Sequence, residues 1–334
     1  MRIDTTTSAD LEASDRAFRT GGMVPADDRL PQVLPTGRLT ASGMPVPELR
    51  AELRRISDLR NVGAVALVWV QAAVTIGLAV WLAHPLAYVA AVVLMGPVFA
   101  RFAILGHEAA HKLLFTNKRA NDWVGAWLCA YPGFVPLEVY RRVHFAHHKD
   151  EFGPNEPDMN LYVDYPVSRS SLRRKLVRDA VGISGWKNLQ PLLRASIHGG
   201  PSTSIARRIL GTQVVLFAGF TALGRPELYL LLWLLPWMTS WRVLNRLRSI
   251  AEHGGMERSD DRRRTTHHVR QTRLANFWLV PLNTGWHLAH HVDMGVPWRN
   301  LPKLHRELVD AGWVTPDLEY RNYRALWRAA SSRP

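Results

Sequence analysis

Cysteine is almost absent: Cys129 is the only one in 334 residues. A disulfide within the chain is therefore impossible, and so is a cysteine-ligated zinc or iron–sulfur site. No haem-binding or flavin module is evident. Any reducing centre other than one built from histidine has to come from a partner. Residues 1–48 contain no apolar run of the kind that forms the core of a signal peptide. Their Asp, Thr, Ser, Pro and Gly content reads as a flexible, disordered N-terminal tail. From Asp260 onward the chain again has no stretch long enough to span a membrane. Acidic residues are scarce, 28 against 42 Lys and Arg, for a formal net charge of +14. Such a balance raises the question of nucleic acid. Arg262, Arg263 and Arg264 are an isolated cluster beside a membrane segment, however, and no nucleic-acid partner is expected.

What the chain does have is histidine in three boxes. They read His107-Glu108-Ala109-Ala110-His111, His144-Phe145-Ala146-His147-His148 and His287-Leu288-Ala289-His290-His291. On a helix, positions i, i+3 and i+4 share a face, so each box can aim two or three imidazoles at one point. That is more nitrogen than one four-coordinate zinc accepts. Eight box histidines fit two metal ions, and imidazole suits iron as well as zinc. His253 is a ninth candidate, because it follows the last apolar run as His107 follows the second. Glu252 beside it can accept from an imidazole N–H. A carboxylate-bridged di-iron bundle needs Glu-x-x-His on two helices. Glu108 to His111 supplies one such motif, and no second is found. His84, His198, His267, His268 and His305 read as non-ligands, with His267 and His268 the nearest to an exception.

Apolar runs over 62–82 and 86–105 are each about 20 residues, enough to cross a bilayer core. His84-Pro85 breaks them into a tight hairpin. A second hairpin is predicted over 209–223 and 228–243, turning at Gly224-Arg225-Pro226-Glu227. The expected fold is all-α and integral to the membrane: four transmembrane helices in two hairpins, with a cytosolic helical cap that carries the boxes. The domain boundaries follow as a tail over 1–48, a membrane domain over 49–310 and a basic C-terminal tail over 311–334. Arg50, Arg54, Arg55, Arg60, Arg246, Arg248 and the Arg262 cluster all fall on one side, whereas the outer turns hold only Arg225. The positive-inside bias puts that side, and all three boxes, in the cytoplasm. The expected location is the cell inner membrane, with the active site on its cytoplasmic face.

With these residues in view, the chain resembles the membrane fatty-acid desaturase and hydroxylase superfamily. Its three boxes appear here as HEAAH, HFAHH and HLAHH, and the resemblance covers about residues 60 to 310. Ala251-Glu252-His253-Gly254 is similar to the extra histidine motif after the fourth crossing. Asn283-Thr284-Gly285-Trp286-His287 resembles the approach to the third box in sphingolipid-type desaturases. Val296-Pro297 and Asn300-Leu301-Pro302 resemble the tail after it. The resemblance implies two iron ions held by His107, His111, His144, His147, His148, His253, His287, His290 and His291. It also implies O2 as co-substrate, a lipid or acyl substrate, and an external electron donor such as a ferredoxin-like protein. The activity implied is insertion of a double bond into an alkyl chain, with lipid or alkane hydroxylation as the alternative on the same site. Glu108 is expected beside the metal centre rather than as a base. Glu156 and Asp158 sit where relatives carry an acidic loop, with a solvated loop the equal alternative. Trp123, Trp127, Trp237, Trp241 and Trp286 are candidates to line a substrate slot, although interfacial or buried packing is the stronger expectation. From another class, His107-Glu108-His111 alone suggests a membrane zinc metalloprotease.

Overall fold

The computed structural model describes residues 19–154 and 156–333. After a short helix α1 (Pro47–Leu53), the chain forms two long helices, α2 (Asp58–Leu82) and α3 (Pro85–Ala110). The sequence between them dictates a reversal. Ala83 ends α2 in the left-handed region (φ 49°), the His84 side chain accepts a hydrogen bond from the Leu86 N–H, and Pro85 supplies a first helical residue that needs no donor. Both helices are long and apolar enough to cross a membrane. Val65, Val68, Ala72, Ile76 and Ala79 form the buried stripe of α2, while Leu67, Val70, Val74 and Leu78 face outward. An outward apolar face is what lipid requires and water penalises. α3 is buried over a larger share of its length and is the centre of the bundle.

The segment following α3 reverses through α4 (Lys118–Val124), whose N-cap Asn117 accepts from Arg119 N and Ala120 N. A π-helical turn over Gly125–Ala130 continues it. Gly125 is needed there, because a Cβ would sit 2.2 Å from that of Ala109. α5 (Leu137–Lys149) then carries the second box. Helices α6 (Arg169–Ala180) and α7 (Ile183–Ile197) precede the second hairpin.

The second hairpin exists as helices, but it is not built like the first. Its first arm, α8 (Thr203–Ala222), starts before the predicted 209–223 and takes in Arg207 and Arg208. The second arm is segmented. A π-helical turn over Leu230–Leu234 leads into Leu235–Met238, and the chain breaks at Thr239 before α9 (Ser240–His253) begins. Pro236 has no N–H to give the preceding turn, which accounts for the loosened ladder on its N-terminal side. Among the described helices, only α2 and α3 combine the length and apolarity of a span.

Residues beyond α9 build a cap from α10 (His287–Val292), α11 (Leu301–Asp310), α12 (Tyr323–Ala330) and a two-residue parallel pairing of β1 (His268–Val269) with β2 (Glu319–Tyr320). Two predicted tails belong to this cap. Of the N-terminal tail, residues 1–18 lie outside the described residues. Residues 19–48 are mostly exposed but make a few contacts with the cap. Gly21 N and Met23 N bond to Met256 O and Gly255 O, and Leu39 is buried with Leu53, Leu304, Leu308 and Trp313. The C-terminal stretch 311–334 likewise holds α12, which buries Tyr323, Leu326 and Ala330. Both segments anchor through a few apolar side chains at suitable spacing, too thin a signal to register in composition.

Candidate metal centre

Four helix ends bring the histidines together. His107 lies on the last turn of α3, with His111 one turn on, and their rings are 4.6 Å apart. α5 presents His144, His147 and His148, α10 presents His287, His290 and His291, and α9 ends on His253. In the first group, one nitrogen from each of His107, His111, His144, His148 and His290 lies within 4.8 Å of the others. His147, His253 and His291 form a second such group. His287 joins it, with its Nε2 3.0 Å from Nε2 of His253 and 3.0 Å from Nε2 of His291. All nine histidines singled out in the sequence thus fall into two adjacent clusters. His148 stands at the seam, since it also groups with Glu151 and His291.

The rings are held from behind. The Nδ1–H of His147 donates to Glu156 Oε2 at 2.8 Å, that of His291 to Glu151 Oε1 at 2.6 Å, and that of His253 to the Thr265 carbonyl at 2.8 Å. Fixing the proton on Nδ1 leaves the Nε2 lone pair facing inward, the tautomer a metal ligand needs. Glu156 is itself oriented by the N–H groups of Phe152 and Asp158, and Glu151 by Arg262 at 2.6 Å. Glu108 is buried, accepts from Trp298 N at 3.2 Å and lies 3.7 Å from His107 Nδ1. Tyr140 stacks on His144 with rings 5.2 Å apart.

The acidic loop after the second box is therefore part of the site. Glu156 braces His147, and Asp158 lines the cavity between the clusters. Glu151, Thr265 and Arg248 were not singled out from the sequence. Glu151 lies just past the C-terminal end of α5, close in sequence to His148, and that closeness is its only signal. The other histidines are elsewhere. His84 caps α3, His198 is exposed, His267 Nε2–H donates to Gly254 O at 2.8 Å, and His268 and His305 stack beside Trp286. None of the five tryptophans lines the cavity. Trp237 and Trp241 are buried in the bundle, and Trp123 is exposed.

The donor set fits metal. The Nε2 of His111 is buried without a hydrogen-bond partner among the described residues. Neighbouring Nε2 atoms approach to 3.0 Å in the His144–His148 pair and 3.1 Å in the His148–His290 pair. Several lone pairs converging on one point are repulsive unless protons or a cation sit among them. Burial disfavours protons. It pushes His144, His148, His253, His287, His290 and His291 well below the ordinary imidazole range, and neighbouring imidazoles add to the effect. His147 goes the other way: burial opposes its proton, but the bond and charge of Glu156 outweigh it.

A pH dependence follows. Imidazoles of an unfolded chain take up protons below about 6.5. The buried ones in the fold do not, so stability present above that value is lost as pH falls through it. His267, His268 and His305, each pushed to about 4 chiefly by burial, act with the six above. Glu151, Asp158 and Glu252, raised by burial, and His147 act against them. The lowered imidazoles, with His111 pushed to about 3 by burial among them, outnumber the opposing groups and set the sign. The unfolding midpoint of chelator-treated protein is expected to be lower at about pH 5.5 than at about pH 7.5. A level or rising midpoint on acidification would contradict a neutral imidazole cluster.

Comparison with known proteins agrees with this geometry. A family model described as fatty acid desaturase matches residues 79–324. The chain is 26% identical to a dihydrorhizobitoxine desaturase of Bradyrhizobium elkanii, over 70% of each chain. It is 24% identical to an sn-1 oleoyl-lipid 12-desaturase of Arthrospira platensis, over 72% of this chain and 71% of the relative. It is also 24% identical to a chloroplastic omega-6 fatty acid desaturase of Brassica napus, over 69% of this chain and 56% of the relative. The match spans α3 to α12 and so contains every clustered histidine: this chain belongs to the fatty acid desaturase family and is an oxidoreductase.

Proposed function

We propose that the protein is an O2-dependent di-iron desaturase that introduces a double bond into the alkyl chain of a fatty acyl or related lipid. The observation that carries this reading is the pair of all-histidine clusters. His107, His111, His144, His148 and His290 would hold one ion, and His147, His253, His287 and His291 the other. Nitrogens about 2.1 Å from a metal and at right angles lie about 3.0 Å apart, whereas tetrahedral ligands lie about 3.4 Å apart. The observed 3.0 and 3.1 Å spacings are those of nitrogens that would share one ion, and imidazole suits iron. A five-histidine group also argues against a zinc protease, which uses three protein ligands and an open position. When bound, the irons supply oxidation of an unactivated C–H bond with O2 and two electrons. The protein's part is to hold neutral imidazoles, brace them through Glu151, Glu156 and Thr265, and keep the site largely buried.

The second hairpin, α8 and the segmented arm ending in α9, is proposed to cross the membrane as well, giving four crossings. The boxes then lie at the cytoplasmic face of the inner membrane, in keeping with the charge bias of the turns. Electrons are supplied by an external carrier, and the net charge of +14 favours an acidic, ferredoxin-like one. Metal analysis of purified protein and mass analysis of the host's lipids test the whole reading. The expected outcome is iron in place of zinc, and a product lacking one hydrogen pair that disappears with His144→Ala. A product that gains an oxygen atom would make the enzyme a hydroxylase. Zinc as the bound metal would overturn the proposal.

A further inference from the structure

The cavity beside the clusters is small, with a lining that is about equally polar and apolar. Its volume is about 160 Å³, below the 300–1,000 Å³ usual for a drug-sized ligand. One wall is a stripe of α9: Asn245, Arg248, Ser249 and Glu252, at i, i+3, i+4 and i+7. The opposite walls are His107, His144, His147, His287 and His290, with Ile104, Leu161, Tyr162 and Leu301 as the apolar part. The apolar part suits a short alkyl segment, and the α9 stripe suits a polar end.

Arg248 is the unusual member. Its side chain is 18% exposed, and its closest charged group is Glu252 Oε1 at 3.7 Å, beyond hydrogen-bond distance. Its Nε is buried without a hydrogen-bond partner among the described residues, and so is Glu252 Oε1. Arg248 lines one cavity with His107 and His144 of the first cluster and His253 and His287 of the second, which places the guanidinium beside both. A guanidinium offers a planar fork matched to a carboxylate, and leaving a buried donor unmatched is costly.

We propose that Arg248 receives the carboxylate of the substrate, so that the oxidised carbons lie within a few bonds of an acid group. The substrate class is an alkyl carboxylate presented as the free acid, as opposed to an esterified chain attacked far from its polar end. This rests on the di-iron reading for the chemistry, but not for the binding.

Calorimetric titration of the full-length, metal-replete protein in nanodiscs under argon tests it, with hexanoate, methyl hexanoate and hexanol as probes. Hexanoate is expected to bind, and both neutral probes at least about tenfold more weakly. Arg248→Gln is expected to weaken hexanoate by about tenfold or more and leave the neutral probes unchanged; Arg248→Lys falls between. Arg270→Gln, in an exposed ion pair with Glu319, serves as the control and binds as the parent does. Equal binding of hexanoate and methyl hexanoate by the parent protein overturns the proposal, as does undiminished hexanoate binding by Arg248→Gln. Should the Gln variant fail to fold, the comparison of probes on the parent and the Lys variant still decides. Metal content is measured on the same samples. Absence of iron with the carboxylate preference intact sinks the di-iron reading alone, and loss of the preference with iron present sinks the Arg248 assignment alone.

Discussion

His290→Ala is expected to abolish turnover and to bring bound metal down from about two ions per chain to about one. His290 reaches furthest into the first cluster from the cap side. Its Nε2 is 3.1 Å from that of His148, and its ring centroid is 4.7 Å from His107 and 4.8 Å from His111. α3, α5 and α10 meet at that point and nowhere else in the cluster, so alanine removes the nitrogen that closes the group. Glu108 is turned toward Trp298 N and does not take its place. His253→Ala should also abolish turnover, but by emptying the second cluster, where its Nε2 meets that of His287 at 3.0 Å. The two variants are therefore alike in activity and complementary in which ion remains. His198→Ala, at an exposed ring bonded to Arg194 O, should keep full metal and activity. Metal analysis per chain, with a spectroscopic probe of the remaining ion, reads the difference. If His290→Ala keeps both ions and turns over normally, the cluster is not a metal site.

Much of this site was legible in the sequence, because the signal was local. Three residues on one helix face are fixed by their spacing alone, and HFAHH and HLAHH could present their rings only together. The hairpin of α2 and α3 was equally local, written in two apolar runs and the His84-Pro85 break. What the sequence hid depends on contacts across the chain. Arg262 meets Glu151 only once the turn after α9 folds back over α5, 111 residues away. Thr265 contributes a backbone carbonyl, which no side-chain pattern records. Arg248 reads in sequence as one more cytoplasmic positive charge, and only the cavity shows it inward. The second hairpin misled in a different way. Hydropathy sees 228–243 as one run, but Pro236 removes a donor and the helix loosens around it, a cost that hydropathy does not count. The contacts of the two end segments were hidden because Leu39 and Leu326 pack against residues far away in the chain, which composition does not record.

Glu151→Gln is expected to weaken metal binding at the second cluster by about 10–100-fold, although Glu151 need not touch the metal. The carboxylate is fully buried between His291 Nδ1 at 2.6 Å and Arg262 at 2.6 Å. It does two jobs for the ring: it fixes the proton on Nδ1, and it raises the electron density that Nε2 can donate. Glutamine keeps the shape and can still accept from Nδ1–H, but it supplies no charge, and it leaves Arg262 facing a neutral group. Burial raises Glu151, and Arg262 opposes that rise, so the two buried groups depend on each other. Removing both charges should then hurt less than the sum of the single changes. In a double-mutant cycle, Glu151→Gln with Arg262→Gln is expected to be less than additive. Competition against a chelator gives the affinities. The same change at Glu156, which braces His147 at 2.8 Å, provides the comparison within the same cluster. Full additivity in the cycle, or unchanged affinity in Glu151→Gln, would mean that His291 is oriented by packing alone and that the buried ion pair is incidental to the metal.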